Sequence, residues 1–167
     1  MSAHDKSLIA EASQVVDDAL PIAVRDAEDS DAALWDQYLA TNPAACFYHL
    51  FGWRKIVRES LGLEPIYLIA SNGREVVGVL PLVYLKSRLF GRILCSMPFL
   101  NYGGPCASTD NALKRLTAAA VERAGQLGVD YLELRCAGPL PVELEAATHK
   151  VSMTIALNPD PEVLWNG

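Results

Sequence analysis

Residues 65–85 read PIYLIASNGREVVGVLPLVYL, two apolar runs joined by Asn72 and Gly73. Asn-Gly between two such runs signals a hairpin, because a tight two-residue turn needs positive φ at its centre and these residues tolerate it. The stretch therefore predicts an antiparallel pair, Pro65 to Ala70 with Arg74 to Leu85. Arg92 to Ser96 extends it to a three-strand meander. Pro81 has no N–H to give to a ladder, so the second strand is expected to bulge there or to lie at an edge.

Upstream, Ile22 to Arg25 reads as a short strand. Asp29, Ser30 and Asp31 then offer caps for a helix whose Leu34, Trp35, Tyr38 and Leu39 form a stripe, stopped by Asn42 and Pro43. A second helix is expected over Leu50 to Leu61, with Phe51, Ile56 and Leu61 inward and Gly62 as its stop. Downstream, Phe99 to Pro105 is too rich in turn residues to be regular. A long helix follows from Asp110 to Leu127, with Leu113, Leu116, Ala120, Val121, Ala124 and Leu127 on its apolar stripe. Val129 to Cys136 alternates, setting Tyr131, Glu133 and Arg135 on one face of a strand and Leu132, Leu134 and Cys136 on the other. Gly138 to Ala147 reads as irregular, and Lys150 to Leu157 as a last strand. The fold class is α/β, a mixed sheet with helices in one domain.

Length agrees, since 167 residues make one core. Hydrophobic residues reach 51% and charged residues 20%, which excludes a disordered or collagen-like chain. The net charge of -6 is confined to the start: eight acids face Lys6 and Arg25 before residue 32, and the remainder is balanced. Residues 1–20 are read as a flexible acidic leader and 21–158 as the folded body. Asp160, Pro161 and Glu162 make a good helix start, so 159–167 is expected to begin a helix. The local surplus of cations at Lys86, Arg88 and Arg92 is too small to argue for DNA. Cys46, Cys95, Cys106 and Cys136 lack metal-ligand spacing, so no metal site is expected. Apolar runs fall short of a membrane span, and the first residues lack the pattern of a secretion signal, so the expected location is the cytoplasm.

Several motifs carry a resemblance. Phe47-Tyr48-His49 with Trp53-Arg54, then Gly78-Val79-Leu80-Pro81-Leu82, Lys86-Ser87-Arg88-Leu89-Phe90-Gly91, Met97-Pro98-Phe99-Leu100-Asn101-Tyr102-Gly103-Gly104 and Tyr131-Leu132-Glu133-Leu134-Arg135 are similar to the FemAB-like proteins associated with PEP-CTERM and exosortase systems. The resemblance spans Ile22 to Trp165 and implies a GNAT-like acyltransferase fold. It further implies aminoacyl or acyl transfer in bacterial cell-envelope biogenesis, on peptidoglycan or exopolysaccharide. Aminoacyl-tRNA or an acyl-CoA would be the donor, and an activated sugar or peptidoglycan precursor the acceptor. It implies a second GNAT-like domain beyond 167, completing an activity this length would not show alone.

Acyl transfer to an amine needs alignment and a polarised carbonyl rather than a strong nucleophile. Asn101, Tyr102, Gly103 and Gly104 suit close approach to a ligand, and the helix start near Asp110 suits phosphate. The same glycines serve equally well to turn the chain. Pro105 removes one N–H from any phosphate cradle, which sets a stand-alone acetyl-CoA N-acetyltransferase second to the FemAB-like reading; a non-catalytic precursor-binding module is the third. Arg54, Lys86 and Arg88 are candidates for a diphosphate or the end of a tRNA, and Tyr48, His49, Trp53 and Tyr102 for an acceptor pocket. Glu133 is the candidate general base, against the alternative of an ion pair with Arg135.

Overall fold

A computed structural model describes residues 21–89, 91–147, 153 and 157–166. The expected leader and most of the expected last strand lie outside them. Strand β1 (Ile22–Asp26) is followed by α1 (Ala32–Thr41), a single turn at Phe47–His49 and α2 (Trp53–Glu59). Then come β2 (Glu64–Asn72), β3 (Glu75–Ser87), β4 (Gly91–Ser96), a two-residue β5 (Cys106–Ala107), α3 (Asp110–Leu127), β6 (Tyr131–Glu133) and a short α4 (Pro161–Asn166).

The sheet order is β1-β2-β3-β4-β6, antiparallel up to β4 and parallel between β4 and β6, with β5 pairing β3. Alternation along β2 divides the core. Ile66, Leu68 and Ala70 face α3 through Ala112, Leu116, Ala120 and Ala124. Tyr67 and Ile69 face the other layer, with Trp35, Tyr38, Leu39 and Phe51. Trp35 stacks on Tyr67 at 5.1 Å and meets Phe51 edge-on at 5.6 Å, which fixes α1 over the sheet centre.

Several local expectations shift. In the hairpin, Asn72 pairs with Glu75, so the turn is Gly73-Arg74; only Gly73 takes positive φ, at 63°, which is the demand of a II′ turn. On α2 the buried residue is Val57, while Ile56 and Leu61 are exposed. On α3, Ala112 and Thr117 are buried in place of Val121, because small residues let the helix lie close to the sheet. The predicted strand at Val129–Cys136 shrinks to three residues, for reasons given by its side-chain partners below.

Pro81 is neither at an edge nor at a bulge: it pairs with Tyr67 inside the central strand, and the bulge lies opposite Ala70 and Ser71. Ala27 N–H donates to the Tyr67 carbonyl from the β1 side at 2.7 Å, so Tyr67 and Pro81 form a non-hydrogen-bonded pair. The bond that Pro81 lacks would point to the other edge of β3. That edge is paired by β5 at Gly78 and Val79 and by β4 from Leu82 onward, leaving Leu80 and Pro81 between. The proline thus sits where β4 parts from the sheet and the Met97–Pro105 loop begins.

Candidate functional site

The loop leaves β4 through two non-glycine residues with positive φ, Met97 at 46° and Phe99 at 71°. Such backbone costs about 1–2 kcal/mol per residue and persists only where surroundings enforce it. Here Met97 is 1% exposed, with the Tyr67 hydroxyl donating to its sulfur at 3.6 Å. Leu100 N–H closes the turn on the Met97 carbonyl. Gly103 has φ 129°, and a Cβ there would lie 2.6 Å from Met97 Cγ; one on Gly104 would lie 2.5 Å from Cys136 Sγ. Both glycines therefore serve close approach of the loop to the protein's own body.

The segment after β6 completes the seal. Arg135 N–H donates to Ser96 Oγ at 2.7 Å, its carbonyl accepts from Gly104 N–H at 2.8 Å, and its guanidinium donates to the Leu100 carbonyl at 2.7 Å. These bonds replace ladder bonds and end β6 at Glu133. Glu133 Oε1 accepts from Arg135 Nε at 3.0 Å, and Cys95 Sγ lies 3.7 Å from its Oε2. The carboxylate is thus held by an arginine, the alternative foreseen for this pair. Burial pushes the Cys95 and Cys106 thiols up to about 12 and Cys136 to about 11, so these three are not nucleophiles near neutral pH.

His49 joins the loop to the helical layer. Cys46 N–H donates to Nδ1 at 3.1 Å, which leaves the ring proton on Nε2 to donate to the Gly104 carbonyl at 2.9 Å. Trp35 Nε1 donates to the His49 carbonyl at 2.8 Å. Burial lowers the imidazole pKa below its usual 6.5. A buried, neutral ring with both nitrogens engaged positions Gly104; it has no free lone pair with which to take a proton from a ligand.

Around this anchor lie aromatic rings. Tyr48 and Tyr102 have centroids 6.3 Å apart, Phe47 meets Tyr48 at 6.0 Å and Trp53 edge-on at 5.4 Å, and Trp53 Nε1 donates to the Phe47 carbonyl at 3.0 Å. Phe47 is 63% exposed, and Asn101 is exposed beside Tyr102. Tyr48, His49, Trp53, Asn101, Tyr102, Gly103 and Gly104 thus come together at the carboxyl ends of the parallel β4 and β6 strands, where ligands of open α/β sheets bind. Phe47, Ser96 and Arg135 belong to the same constellation and were not chosen from sequence. Phe47 had a legible signal in its place in the aromatic run and Arg135 in its spacing from Glu133; Ser96 had none.

Arg54, Lys86 and Arg88 are elsewhere. The Arg54 guanidinium donates to Asp29 and, at 3.2 Å, to the Ala27 carbonyl, and lies over the Phe51 ring, so it ties α2 to the turn after β1. Lys86 and Arg88 lie at the β3–β4 turn. The six residues of β4 separate that turn from Met97, about 17 Å at the rise of a strand.

The start of α3 also departs from expectation, because β5 intervenes between the glycines and the helix. Ser108 N–H is taken by the Val77 carbonyl at 2.9 Å, Thr109 Oγ1 accepts from Ala112 N–H at 3.2 Å, and Asp110 brings a negative charge into the first turn. A phosphate there would meet few open donors and one carboxylate. Among the described residues, no group of three His, Cys, Asp or Glu side chains gathers as a metal site, and no helix is long and apolar enough to cross a membrane.

No family model and no curated protein matches the chain. Two solved structures do. A transcriptional regulator from Bacillus halodurans superposes with a TM-score of 0.57 at 16% identity, over 81% of this chain and 100% of the other. A GNAT family acetyltransferase from Staphylococcus aureus superposes with a TM-score of 0.52 at 11% identity, over 80% of this chain and 100% of the other. The chain therefore has a GNAT-like fold, a mixed α/β domain. At such identities the likeness concerns the fold alone.

Proposed function

We propose that this GNAT-like domain is the N-terminal part of a FemAB-like aminoacyl or acyl transferase of cell-envelope biogenesis, and that the aromatic face beside Gly103 and Gly104 receives the acceptor. The carrying observation is the convergence of Tyr48, Tyr102 and exposed Phe47 on a loop rigidly held at the carboxyl ends of β4 and β6. Rings of this kind stack on sugar and peptide groups at little entropic cost. In the reaction the acceptor amine attacks the donor carbonyl, a C–N bond forms, the bond to the leaving group breaks (C–O of an aminoacyl ester, C–S of an acyl thioester), and the proton lost by the amine ends on the leaving oxygen or sulfur. The residues of the domain contribute alignment, which suffices for much of the rate. Glu133 serves by holding Arg135, and through it Leu100 and Gly104, in place.

A pyrophosphate cradle of the acetyl-CoA kind finds less support. Gly104 and Ser108 N–H groups are engaged internally, Pro105 has none, and Asp110 faces the helix start. Calorimetry separates the readings. A soluble nucleotide-linked muramoyl pentapeptide is expected to give heat that Tyr102→Ala weakens about tenfold, while saturating acetyl-CoA gives none. Heat with acetyl-CoA and none with the muramoyl peptide would overturn the proposal.

A further inference from the structure

The β3–β4 turn has no part in the site just described, and its construction is unusual. Along β3 the neighbour β2 reaches only to Tyr84, opposite Glu64, and β6 pairs β4 only from Ile93 onward, so Lys86 and Ser87 with Arg92 and Gly91 continue as a short two-stranded ribbon. Lys86 lies directly opposite Arg92 in that ribbon, and like charges facing one another across an antiparallel pair weaken it. Arg88 is exposed at the apex, and beside it Leu89 is 81% exposed. Tyr131, 50% exposed, stands at the same end of the sheet, opposite Ile93. Two acids are near: Asp130, whose carboxylate accepts Arg92 N–H at 2.7 Å, and Glu64 at the base of the ribbon. The Arg92 guanidinium passes over Gly128 at the carboxyl end of α3, where helix carbonyls favour a cation.

We propose that this ribbon docks the protein reversibly on an anionic phospholipid surface, with Lys86, Arg88 and Arg92 against lipid phosphates and Leu89 entering the boundary between headgroups and acyl chains. Each feature that is unfavourable in water gains from that partner. The opposed cations find counter-charges, the leucine leaves water, and Tyr131 sits at the depth where amphipathic rings collect. A polyanionic RNA would satisfy the cations and leave Leu89 in water, so the apolar apex favours the lipid. One leucine and three cations fall short of stable anchoring, which makes the attachment weak and salt-sensitive over a screening length of about 8 Å at physiological ionic strength.

Co-sedimentation of the whole chain with vesicles tests this, using phosphatidylcholine alone and phosphatidylcholine mixed with phosphatidylglycerol. The chain is expected to pellet with the anionic vesicles at low salt, and not with neutral ones or at high salt. Reversal of Lys86→Glu or Arg88→Glu should weaken binding about tenfold each. Leu89→Ser should weaken it about fivefold without changing its dependence on salt, while none of the three variants unfolds below the wild-type temperature. No pelleting of the wild type with anionic vesicles, wild-type binding by the charge reversals or by Leu89→Ser, or capture of a single-stranded oligoribonucleotide in preference to the vesicles would each overturn the proposal.

Discussion

The two ends of β4 are built on opposite principles. At its carboxyl end, Ser96, Met97, Gly103, Gly104, His49 and Arg135 are joined by hydrogen bonds and contacts too close for an added methyl. At its amino end, Lys86, Arg88 and Leu89 project past the body of the sheet with little packed against them. A side chain near a functional surface can thus be fixed by the protein or left for a partner to fix. The first end is expected to be intolerant of substitution and the second permissive, and that contrast can be broken by experiment.

The largest effect is expected from Gly103→Ala. A methyl would combine positive φ with a 2.6 Å approach to Met97 Cγ, and urea unfolding should show a loss of about 3 kcal/mol. A tolerated alanine would mean that the loop is not packed as described. Next is His49→Ala, which strands the Gly104 carbonyl and Cys46 N–H and should cost about 2 kcal/mol.

His49 also carries a pH signature. Its pKa is lowered on folding, so the unfolded chain binds the proton more tightly. Its contribution is complete above the unfolded value of 6.5 and declines as pH falls through and below it. Wild type should therefore lose stability between neutral and mildly acidic pH, and His49→Gln should lose less over the same range. Asp31 titrates in a different window. Its bidentate pair with Arg25 holds the carboxyl near about 2, so its contribution is present above the unfolded value of 3.8 and lost as pH falls from there towards 2. Because Arg25 is half exposed, Asp31→Asn should cost only about 1 kcal/mol at neutral pH.

The smallest effect belongs to the other end. Lys86→Ser and Arg88→Ser should change stability by less than about 0.5 kcal/mol, with Lys86→Ser on the stabilising side because it removes a cation facing Arg92. A large loss from either would erase the contrast between the two ends.

How far the sequence disclosed this arrangement depends on what periodicity can register. The meander, α1, α3 and the Glu133–Arg135 ion pair were legible, because each follows from spacing of 2 or 3.6 residues or from the turn chemistry around Gly73, whereas the buried face of α2 was not. Where β6 ends was not: alternation runs to Cys136, but Arg135 gives its N–H to a serine side chain thirty-nine positions away, and no local pattern records that partner. The same holds for Gly103 and Gly104, which look alike whether they approach a ligand or Met97 and Cys136. Pro81 was misplaced because a proline is harmless in a central strand if the bond it lacks falls in a gap, and the gap arises only when β4 and β5 share one edge of β3. Lys86 and Asn101 are close in sequence, and only the direction of β4 shows that they serve different ends of the molecule. Asp29 and Asp31 read from sequence as caps for α1, yet Asp26, Asp29 and Asp31 pair with Arg123, Arg54 and Arg25, partners that no local pattern records.

The most direct measurement is an amide NMR titration of the whole chain with the nucleotide-linked muramoyl pentapeptide. Shifts concentrated in Phe47–Trp53 and Leu100–Gly104, with the amides of Leu85–Leu89 unmoved, are the predicted result. Shifts confined to Leu85–Leu89, or none at saturating ligand, would contradict the assignment of the acceptor to the aromatic end of the sheet.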